Sequence, residues 1–554
     1  MVSSSNPLIV QSDRSLLLEV DSPVFEEVRD QLMRFAELVK SPEYIHTYRI
    51  TPLSLWNAAA SGMNSDEILE VLEHYSRYPP PPNIQADIQE LTARYGRLIL
   101  LHENGRLILR AQDPLDLAEV LRRREVQPFV VEHVSNDEVL VRSDRRGHLK
   151  QALVRIGWPP EDLAGYQDGE PLSLELKSVT SLGAPFHLRP YQEEAAEAFW
   201  ARGGPQGGSG VVVLPCGAGK TVVGMCAMNS ANTSTLIIAT STTALRQWRD
   251  ELLDKTTLSP ETIGEYSGKE KVIRPITLTS YQILTHRPRK SDDFPHFSLF
   301  NQRNWGLIIY DEVHLLPAPI FRITAELQAK RRLGLTATLV REDGHEEDVF
   351  SLIGPKKYDL PWKDLEKQGW IATATCYELR LSMPPELRWE YVSAERAEKY
   401  RIAAENPLKP PLVERLISQH QQDSILILGR FLSQLNSLSQ YLNAPLITGK
   451  SSQRDREKLY HLFRNGEINI LILSEVGNFA IDLPDAGVAI QVSGRFGSRQ
   501  EEAQRLGRIL RPKAGVNQAY FYSLVTRDSN EIEFAMNRQL FLTEQGYRYL
   551  IENV

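Results

Sequence analysis

The stretch VVVLPCGAGKT, residues 211–221, decides the fold of this chain. An apolar run passes directly into a turn that contains Gly217 and Gly219, and a helical stretch follows. Such a turn points consecutive backbone N–H groups at the N-terminus of a helix, where phosphate oxygens are favoured by those donors and by the helix dipole. The sequence therefore predicts a nucleotide-binding loop, although Leu214 stands where the usual GxxxxGK[ST] pattern has its first Gly.

The residue types in this loop predict ATP as the nucleotide and Mg²⁺ as its cofactor. Lys220 would reach the β and γ phosphates, and Thr221 would ligate Mg²⁺. The remaining candidate nucleotide contacts are Cys216, Gly217, Ala218 and Gly219.

Short apolar runs alternate with helical stretches from about residue 208 to the end of the chain. Runs of four to six residues rich in Val and Ile are typical of strands buried on both faces of a parallel sheet. Because the runs form two sets separated near residue 365, we expect an α/β fold with two doubly wound parallel-sheet domains in tandem, over 181–365 and 366–554.

An acidic pair follows one of these predicted strands, in IIYDEVH. Ligands in open α/β sheets bind beyond the carboxyl ends of the strands, which is where Asp311 and Glu312 would lie. Asp311 would hold Mg²⁺, and Glu312 would orient and deprotonate the attacking water.

A basic stretch, AQRLGRILR at 503–511, lies in the second domain. Arg505, Arg508 and Arg511 are spaced by three residues, so a helix would cluster them on one face, at a cost in stability unless an anion lies opposite. The γ-phosphate is the natural anion, which makes Arg508 and Arg511 candidates for arginine fingers.

The first 180 residues lack the strand–helix rhythm. Helices predicted over 52–62, 65–78 and 84–95, followed by a hairpin over 97–111, give a winged-helix order and an accessory domain over 1–125. Its third helix carries Asp87 and Glu90, which favours protein docking over DNA reading. Residues 126–180 predict a small α+β domain whose basic residues form either a DNA-contacting patch or a solvated turn: Arg142, Arg145, Arg146 and Lys150.

Composition narrows the class of protein. The 63 basic and 71 acidic residues give a net charge of −8, which weakly disfavours nucleic-acid binding when taken as an average over the whole chain. Three cysteines exclude a disulfide framework and have no metal-ligand spacing. With no signal-length apolar core and no run long enough to span a membrane, we expect a cytoplasmic protein.

Taken together, these motifs resemble those of superfamily 2 helicases, and more narrowly of the XPB (xeroderma pigmentosum group B) helicase family. LRPYQ at 188–192 resembles the adenine-sensing element, with Gln192 reading the base and Arg189 supporting it. DEVH, TAT at 336–338 and QRLGRILR at 504–511 match motifs II, III and VI, and VRED at 340–343 resembles the RED motif associated with unwinding. The resemblance adds these candidates: Asp482 as a ribose contact, and His314, Thr336, Thr338, Arg341, Glu342, Asp343, Gln504 and Arg505 in coupling.

The resemblance implies RecA-like motor domains that couple ATP hydrolysis to 3′→5′ movement on DNA and to duplex opening in DNA repair. It also implies a damage-recognition-like domain at 126–180, a short thumb-like segment at 384–412, and DNA at a single-strand/duplex junction as the partner. Thr240, Arg246 and Tyr281 would contact the DNA backbone. Three alternatives stay open: a double-stranded DNA translocase, an ATP-switched scaffold for a nuclease or repair partner docked on the N-terminal domain, and an RNA helicase.

Overall fold

The computed structural model describes residues 6–215, 217–289, 294–328, 330–339, 344–474, 486–494, 502, 505–507, 509–510 and 517–554. The chain divides into two units. The first comprises Met1–Glu37, Tyr48–Leu214 and Gly219–Asp359, and the second comprises Leu38–Thr47, Pro215–Ala218 and Leu360–Val554. In the described part of the chain, no helix is both long and apolar enough to cross a membrane.

The N-terminal region begins with a four-stranded sheet ordered β1-β2-β4-β3. Its elements are β1 (Leu8–Val10), β2 (Ser15–Glu19), α1 (Phe25–Leu32), β3 (Glu37–Lys40) and β4 (Ile45–Arg49), followed by α2 (Pro52–Ala60), α3 (Ser65–Tyr75) and α4 (Pro82–Arg94). The three helices α2, α3 and α4 confirm the predicted ones. Capping boxes at Thr51 and Asn64 start the first two, since each cap side chain accepts a backbone N–H three residues on.

A second sheet of five strands follows, ordered β7-β8-β6-β5-β9. Its elements are β5 (Leu98–Glu103), β6 (Arg106–Ala111), α5 (Pro114–Leu121), β7 (Val130–His133), β8 (Glu138–Val141), α6 (Arg146–Arg155) and β9 (Glu161–Asp162). The predicted hairpin is therefore present as β5 and β6. Because β6 pairs with β8, however, the hairpin shares a sheet with residues 130–162, and this sheet crosses the boundary expected at 125/126. The three helices and the hairpin consequently do not close a separate winged helix.

The predicted basic patch of this region is largely buried. Arg146 and Lys150 lie on α6 and are 6% and 4% exposed, and both pair with Asp162. Arg142 and Arg145 alone of the four are exposed, and Asp144 lies beside both. The patch therefore offers little positive charge for DNA.

The first large sheet has seven parallel strands in the order β12-β13-β11-β14-β15-β10-β16. Every residue of β10, β11 and β13 is buried, as expected for strands covered on both faces. The strands are β10 (Ser209–Val213), β11 (Thr235–Ala239), β12 (Ile263–Tyr266), β13 (Ile276–Ser280), β14 (Leu307–Asp311), β15 (Arg331–Thr336) and β16 (Lys356–Asp359), and the helices are α7 (Pro190–Trp200), α8 (Lys220–Ala231), α9 (Thr242–Lys255), α10 (Tyr281–Thr285), α11 (Ala318–Glu326) and α12 (Glu346–Leu352).

The second large sheet also has seven strands, ordered β19-β20-β18-β21-β22-β17-β23, and its described pairings are parallel. The strands are β17 (Thr373–Leu381), β18 (Ile425–Gly429), β19 (Leu446–Ile447), β20 (Ile470–Ser474), β21 (Val488–Gln491), β22 (Gln518–Thr526) and β23 (Tyr549–Asn553), and the helices are α13 (Trp362–Lys367), α14 (Pro385–Ser393), α15 (Arg396–Ala404), α16 (Lys409–Gln419), α17 (Leu432–Leu442), α18 (Gln453–Arg464) and α19 (Asn530–Glu544). The two sheets confirm the predicted pair of parallel-sheet domains.

Short 3-10 helices connect several of these elements. They are Gln127–Phe129, Ser143–Arg145, Ala201–Gly203, Pro260–Thr262, Pro295–Asn301 and Val313–Leu315.

Within the first unit, α6 packs directly on the motor sheet's helices. A Cβ on Gly147 would lie 2.4 Å from the carbonyl oxygen of Ala325 in α11, so only glycine allows this approach. Lys150 Nζ donates to Gln328 Oε1 at 3.0 Å, and Gln151 Nε2 donates to Asp348 Oδ1 of α12 at 2.8 Å. The region before residue 180 is therefore joined to the nucleotide-binding domain by one buried and one partly buried polar contact.

Candidate functional site

The loop between β10 and α8 has the backbone that its glycines predict. Gly217 and Gly219 both have φ of +82°, in the left-handed region. Gly219 directly precedes α8, whose first residue is Lys220. The N-terminus of α8 is therefore presented at the carboxyl end of a buried strand, which is the arrangement that binds phosphate.

Gln192 lies against this loop. A Cβ on Gly219 would be 2.5 Å from Gln192 Nε2, so the glycine makes room for the glutamine amide. Gln192 is 4% exposed, and its Oε1 accepts the backbone N–H of Arg189 at 3.0 Å, which fixes the amide at the first turn of α7. Arg189 Nη1 donates to the hydroxyl of Tyr191 at 2.9 Å. The structure thus brings the predicted adenine-sensing residues to the loop.

The acidic pair lies at the end of β14, between β11 and β15. Glu312 Oε1 is 3.5 Å from Lys220 Nζ, and Lys220 Nζ also lies 3.5 Å from the carbonyl oxygen of Leu214. Glu312 has φ of +51° and ψ of +55°, a left-handed conformation that non-glycine residues rarely adopt and that is common at functional sites. Lys220, Asp311 and Glu312, predicted from separate motifs, therefore meet.

Two aromatic residues hold Asp311. Trp248 Nε1 in α9 donates to Asp311 Oδ2 at 3.0 Å, and the hydroxyl of Tyr281 donates to the carbonyl oxygen of Asp311 at 2.9 Å. Trp248 also packs against α8, since a Cβ on Gly224 would lie 2.5 Å from its ring. Trp248 is a site residue that the motifs did not predict; the available signal is a tryptophan on the buried face of the helix that follows β11.

The two neighbouring carboxylates have shifted pKa values of opposite sign. Burial, followed by the charge of Glu312, raises the pKa of Asp311 to about 6, while Trp248 and Lys220 oppose the shift. Burial also disfavours the charged form of Glu312, but Lys220 and His314 outweigh it and lower the pKa of that carboxyl. At neutral pH Glu312 is ionised, and Asp311 is the carboxyl that a nearby cation would stabilise most.

A polar chain leads from the acidic pair towards motif III. His314 is 3% exposed, and its Nδ1 lies 2.6 Å from Thr336 Oγ1 and 3.4 Å from Glu312 Oε2. Thr336 Oγ1 donates to the carbonyl oxygen of Thr338 at 2.6 Å. Motifs II and III are thus in direct contact, while the coupling roles of His314, Thr336 and Thr338 stay predictions.

The predicted DNA contacts in the first domain differ in position. Tyr281 is 4% exposed, and its hydroxyl donates to the carbonyl oxygen of Asp311. It therefore supports the nucleotide site and is not available to a DNA backbone. Arg246 is exposed on α9, and Thr240 is partly exposed, its carbonyl oxygen accepting the side chain of Gln282. Of the three, Arg246 and Thr240 keep the accessibility that DNA contact requires.

Arg505, predicted to act in coupling and to share a helix face opposite an anion, lies in the interior of its domain, and its role in coupling stays a prediction. It is fully buried, and its Nη1 donates to Gln491 Oε1 and to the carbonyl oxygen of Ser493, so it does not present its charge to an anion. Eight other residues that the sequence predicts for the nucleotide site or for coupling lie outside the described residues: Cys216, Arg341, Glu342, Asp343, Asp482, Gln504, Arg508 and Arg511.

Three protein-family models match the chain. Residues 365–553 match the ERCC3/RAD25/XPB C-terminal helicase, residues 8–135 match a helicase conserved C-terminal domain, and residues 185–341 match the type III restriction enzyme res subunit. The third match covers the loop, the acidic pair and motif III.

Curated relatives match over almost the whole chain. A protein of Kineococcus radiotolerans named DNA 3′-5′ helicase XPB is 53% identical over 99% of this chain and 96% of its own length, and one of the same name from Mycobacterium tuberculosis is 52% identical over 99% and 98%. A Saccharomyces cerevisiae protein named general transcription and DNA repair factor IIH helicase/translocase subunit XPB/SSL2 is 32% identical over 99% of this chain and 72% of its own length. The predicted family and the predicted helicase class are confirmed. The chain therefore belongs to the XPB family of ATP-dependent DNA helicases.

Proposed function

We propose that this chain hydrolyses ATP at residues 217–221 and the acidic pair, and uses the energy to move 3′→5′ along DNA and open the duplex during repair. The observation that carries the proposal is the convergence of Lys220, Asp311 and Glu312 at the carboxyl edge of a parallel sheet. The direction of movement and the link to DNA repair rest on the names of the relatives.

The nucleotide would bind with its phosphates on the N-terminus of α8. Lys220 Nζ lies at the mouth of the loop, 3.5 Å from the Leu214 carbonyl oxygen and 3.5 Å from Glu312 Oε1, and would turn towards a phosphate when ATP binds. Gln192, held by Arg189, would read the adenine edge. Because its contact with the Arg189 backbone already fixes the Gln192 amide, this side chain needs little ordering when ATP binds.

The donor set fits a nucleotide-borne Mg²⁺. No cluster of three or more His, Cys, Asp or Glu side chains able to hold a metal occurs among the described residues, so an ion here needs ligands from the nucleotide and water, as Mg²⁺ commonly has. Asp311 and Thr221 are the residues that would hold it, and the raised pKa of Asp311 reflects a buried carboxyl in need of a cation. When bound, Mg²⁺ neutralises charge that develops on the phosphates.

Glu312 would orient and deprotonate the attacking water. Its lowered pKa keeps the carboxylate ionised, and its backbone conformation and its contact with Lys220 hold it beside the loop. His314 contacts this carboxylate and also forms a hydrogen bond with Thr336, so a change in the protonation or position of Glu312 would act directly on motif III. Arg508 and Arg511 as arginine fingers, Asp482 as a ribose contact, and Gln504 and residues 341–343 in coupling remain predictions from the sequence, as does docking of a nuclease or repair protein on residues 1–125.

Glu312→Gln is the test of this proposal. The amide keeps the shape but loses the base, so DNA-stimulated ATP hydrolysis and unwinding should fall by about a thousandfold while ATP binding is retained. Glu326→Gln, at the end of α11 in the same unit, is the matched control and should leave hydrolysis unchanged. Wild-type ATPase activity that DNA fails to stimulate would contradict the motor function itself.

A second candidate function, translocation on double-stranded DNA without strand separation, is favoured by the name of the S. cerevisiae relative, which reads helicase/translocase. Displacement of the third strand from a triplex, measured beside displacement of a strand from 3′- and 5′-overhang duplexes, distinguishes the two. Triplex displacement without unwinding would favour the translocase.

A further inference from the structure

Four residues at the carboxyl end of β21, 491–494, form a buried segment whose main-chain and side-chain groups are hydrogen-bonded by several elements. We call it the 491–494 segment. Lys409 Nζ donates to the carbonyl oxygen of Val492 at 2.8 Å. Ser493 Oγ donates to Gln434 Oε1 at 2.7 Å and accepts the backbone N–H of Arg430 at 2.9 Å. The segment is therefore tied to α16, to α17 and to the end of β18.

Motif VI contacts this segment through Arg505. The guanidinium is fully buried and donates to Gln491 Oε1 and, at 3.3 Å, to the carbonyl oxygen of Ser493. Glu502, three residues earlier and also fully buried, accepts the hydroxyl of Tyr549 at 3.1 Å and forms an ion pair with Arg538 at 3.5 Å. Arg505 of motif VI and Glu502 just before the motif are thus anchored in the interior of the second unit, and the 491–494 segment is the anchor of Arg505.

The thumb-like segment at 384–412 contacts the same four residues from another side. The Tyr400 hydroxyl, on α15, donates to the carbonyl oxygen of Gly494 and accepts the Gly494 N–H at 3.1 Å. The Tyr400 ring is fully buried, edge-on to Phe431 at 5.4 Å and to Phe534 at 4.9 Å between ring centroids. Lys409, near the end of the thumb-like segment, pairs with Glu531 at 2.7 Å, which holds its ammonium group on Val492.

We propose that the 491–494 segment couples motif VI to the thumb-like segment, with Arg505 and Tyr400 as the positioning residues on its two sides. The proposal rests on the proposed function, because it requires that motif VI respond to the nucleotide and that the thumb-like segment act on DNA. Arg505 and Tyr400 bind main-chain groups of adjacent residues, Ser493 and Gly494. A displacement of one therefore moves the peptide unit that the other holds.

Burial makes this connection stiff. None of the bonding groups can exchange its partner for water without opening the core, so the peptide between Ser493 and Gly494 follows Arg505 and Tyr400 together. An exposed contact would relax instead by taking up water.

Tyr400→Phe tests the proposal because it removes the hydroxyl and keeps the ring in its packing. ATP hydrolysis with DNA present should keep its kcat and its KM for ATP within about twofold, while base pairs opened per ATP hydrolysed fall by about fivefold. Tyr441→Phe is the matched control: its exposed hydroxyl donates to Glu414 at 2.7 Å on the surface of the same unit, and its loss should leave the ratio unchanged.

Three outcomes are informative. A lower ratio in Tyr400→Phe alone supports the coupling. An unchanged ratio, or a parallel fall of ATPase and unwinding with a lowered melting temperature, overturns it, because the hydroxyl then serves stability only. Absence of DNA-stimulated ATPase activity in the wild-type chain would contradict the proposed function. The ATPase activity of the wild-type chain with and without DNA is therefore measured before any variant is compared.

Discussion

Two lysine–carboxylate pairs in the first unit, one buried and one partly buried, have the same chemistry and opposite construction. Lys150 Nζ lies 2.9 Å from Asp162, which also receives Arg146, and Lys150 donates to Gln328 as well. Lys220 Nζ lies 3.5 Å from Glu312, beside a second carboxylate, Asp311. The first pair is short and saturated by neighbours of opposite charge, whereas the second is long and has a like charge next to it.

This difference separates a structural pair from a functional one. Saturation lowers the pKa of Asp162 far below its ordinary value, because Lys150 and Arg146 outweigh the effect of burial. Burial, followed by the charge of the neighbouring Glu312, raises the pKa of Asp311 to about 6. A pair that exists for stability satisfies every charge from within the chain, whereas a pair that awaits a ligand leaves a charge to be satisfied by it.

The largest expected effect comes from breaking the functional pair with Lys220→Ala. ATP hydrolysis should fall about a thousandfold, because the cation that meets the β and γ phosphates is lost. The melting temperature should shift by less than about 2 °C, since the long pair contributes little to folding. Lys255→Ala, which breaks a partly exposed 2.7 Å pair with Glu251, is the control and should retain activity. Hydrolysis and melting temperature falling together would contradict the distinction.

Breaking the structural pair should have the reverse result. Lys150→Met leaves Asp162 buried with Arg146 as its remaining cation, so the free energy of unfolding should fall by about 3 kcal/mol in urea titrations. ATPase activity per folded molecule should stay within about twofold at 20 °C, because no group of the nucleotide site is touched. Combining Lys150→Met with Asp162→Leu should lose less than the sum of the two single changes, and additive losses would argue against a direct pair.

Trp248→Phe sharpens the comparison within the functional site. The change removes one hydrogen bond to Asp311 and leaves most of the packing against α8, so kcat should fall by about tenfold and the free energy of unfolding by about 1 kcal/mol. Trp305→Phe is the matched control, since Trp305 Nε1 donates to the carbonyl oxygen of Leu299 at 3.0 Å away from the acidic pair. It should cost similar stability and no activity. Equal loss of kcat in both variants would show that Trp248 acts through packing and not through its hydrogen bond to Asp311.

The smallest effect is a pH dependence. Asp162 has a folded-state pKa below its unfolded value, so its contribution is complete above about pH 5 and is lost as the pH falls towards the folded-state pKa. The stability difference between the wild-type chain and Asp162→Asn should therefore shrink by about 1 kcal/mol from pH 6 to pH 3. Urea titrations at the two pH values measure it, and a constant difference would show that folding leaves the pKa of Asp162 unchanged.

Much of the motor fold follows from local sequence. Buried parallel strands are runs of apolar β-branched residues, and the phosphate loop and the acidic pair lie at their ends, so one-dimensional patterns predicted β10, β14, Lys220 and Glu312. Strands with polar residues escaped this reading. In β16, KKYD, every residue is partly exposed. In β17, Glu378 is buried because Arg380 and Gln539 pair with its carboxylate.

Residues whose role depends on distant partners could not be predicted. Arg146 and Lys150 read as surface charge until Asp162 and Gln328 are brought to them by the fold. Tyr281 and Arg505 lie in motifs typical of ligand contact, yet each donates to a neighbour inside its own domain. Spacing along a helix tells which residues share a face, and only tertiary packing tells what that face meets.

At Glu312, the left-handed backbone conformation lowers the stability of the folded chain, whereas the carboxylate is needed for hydrolysis. Asparagine and glycine adopt that conformation at lower cost than glutamate does, so replacement by either would relieve strain and remove the carboxylate in one step. Selection for heat resistance would therefore enrich inactive chains at residue 312. Attempts to raise the thermal stability of the enzyme should therefore keep Glu312 and vary other positions.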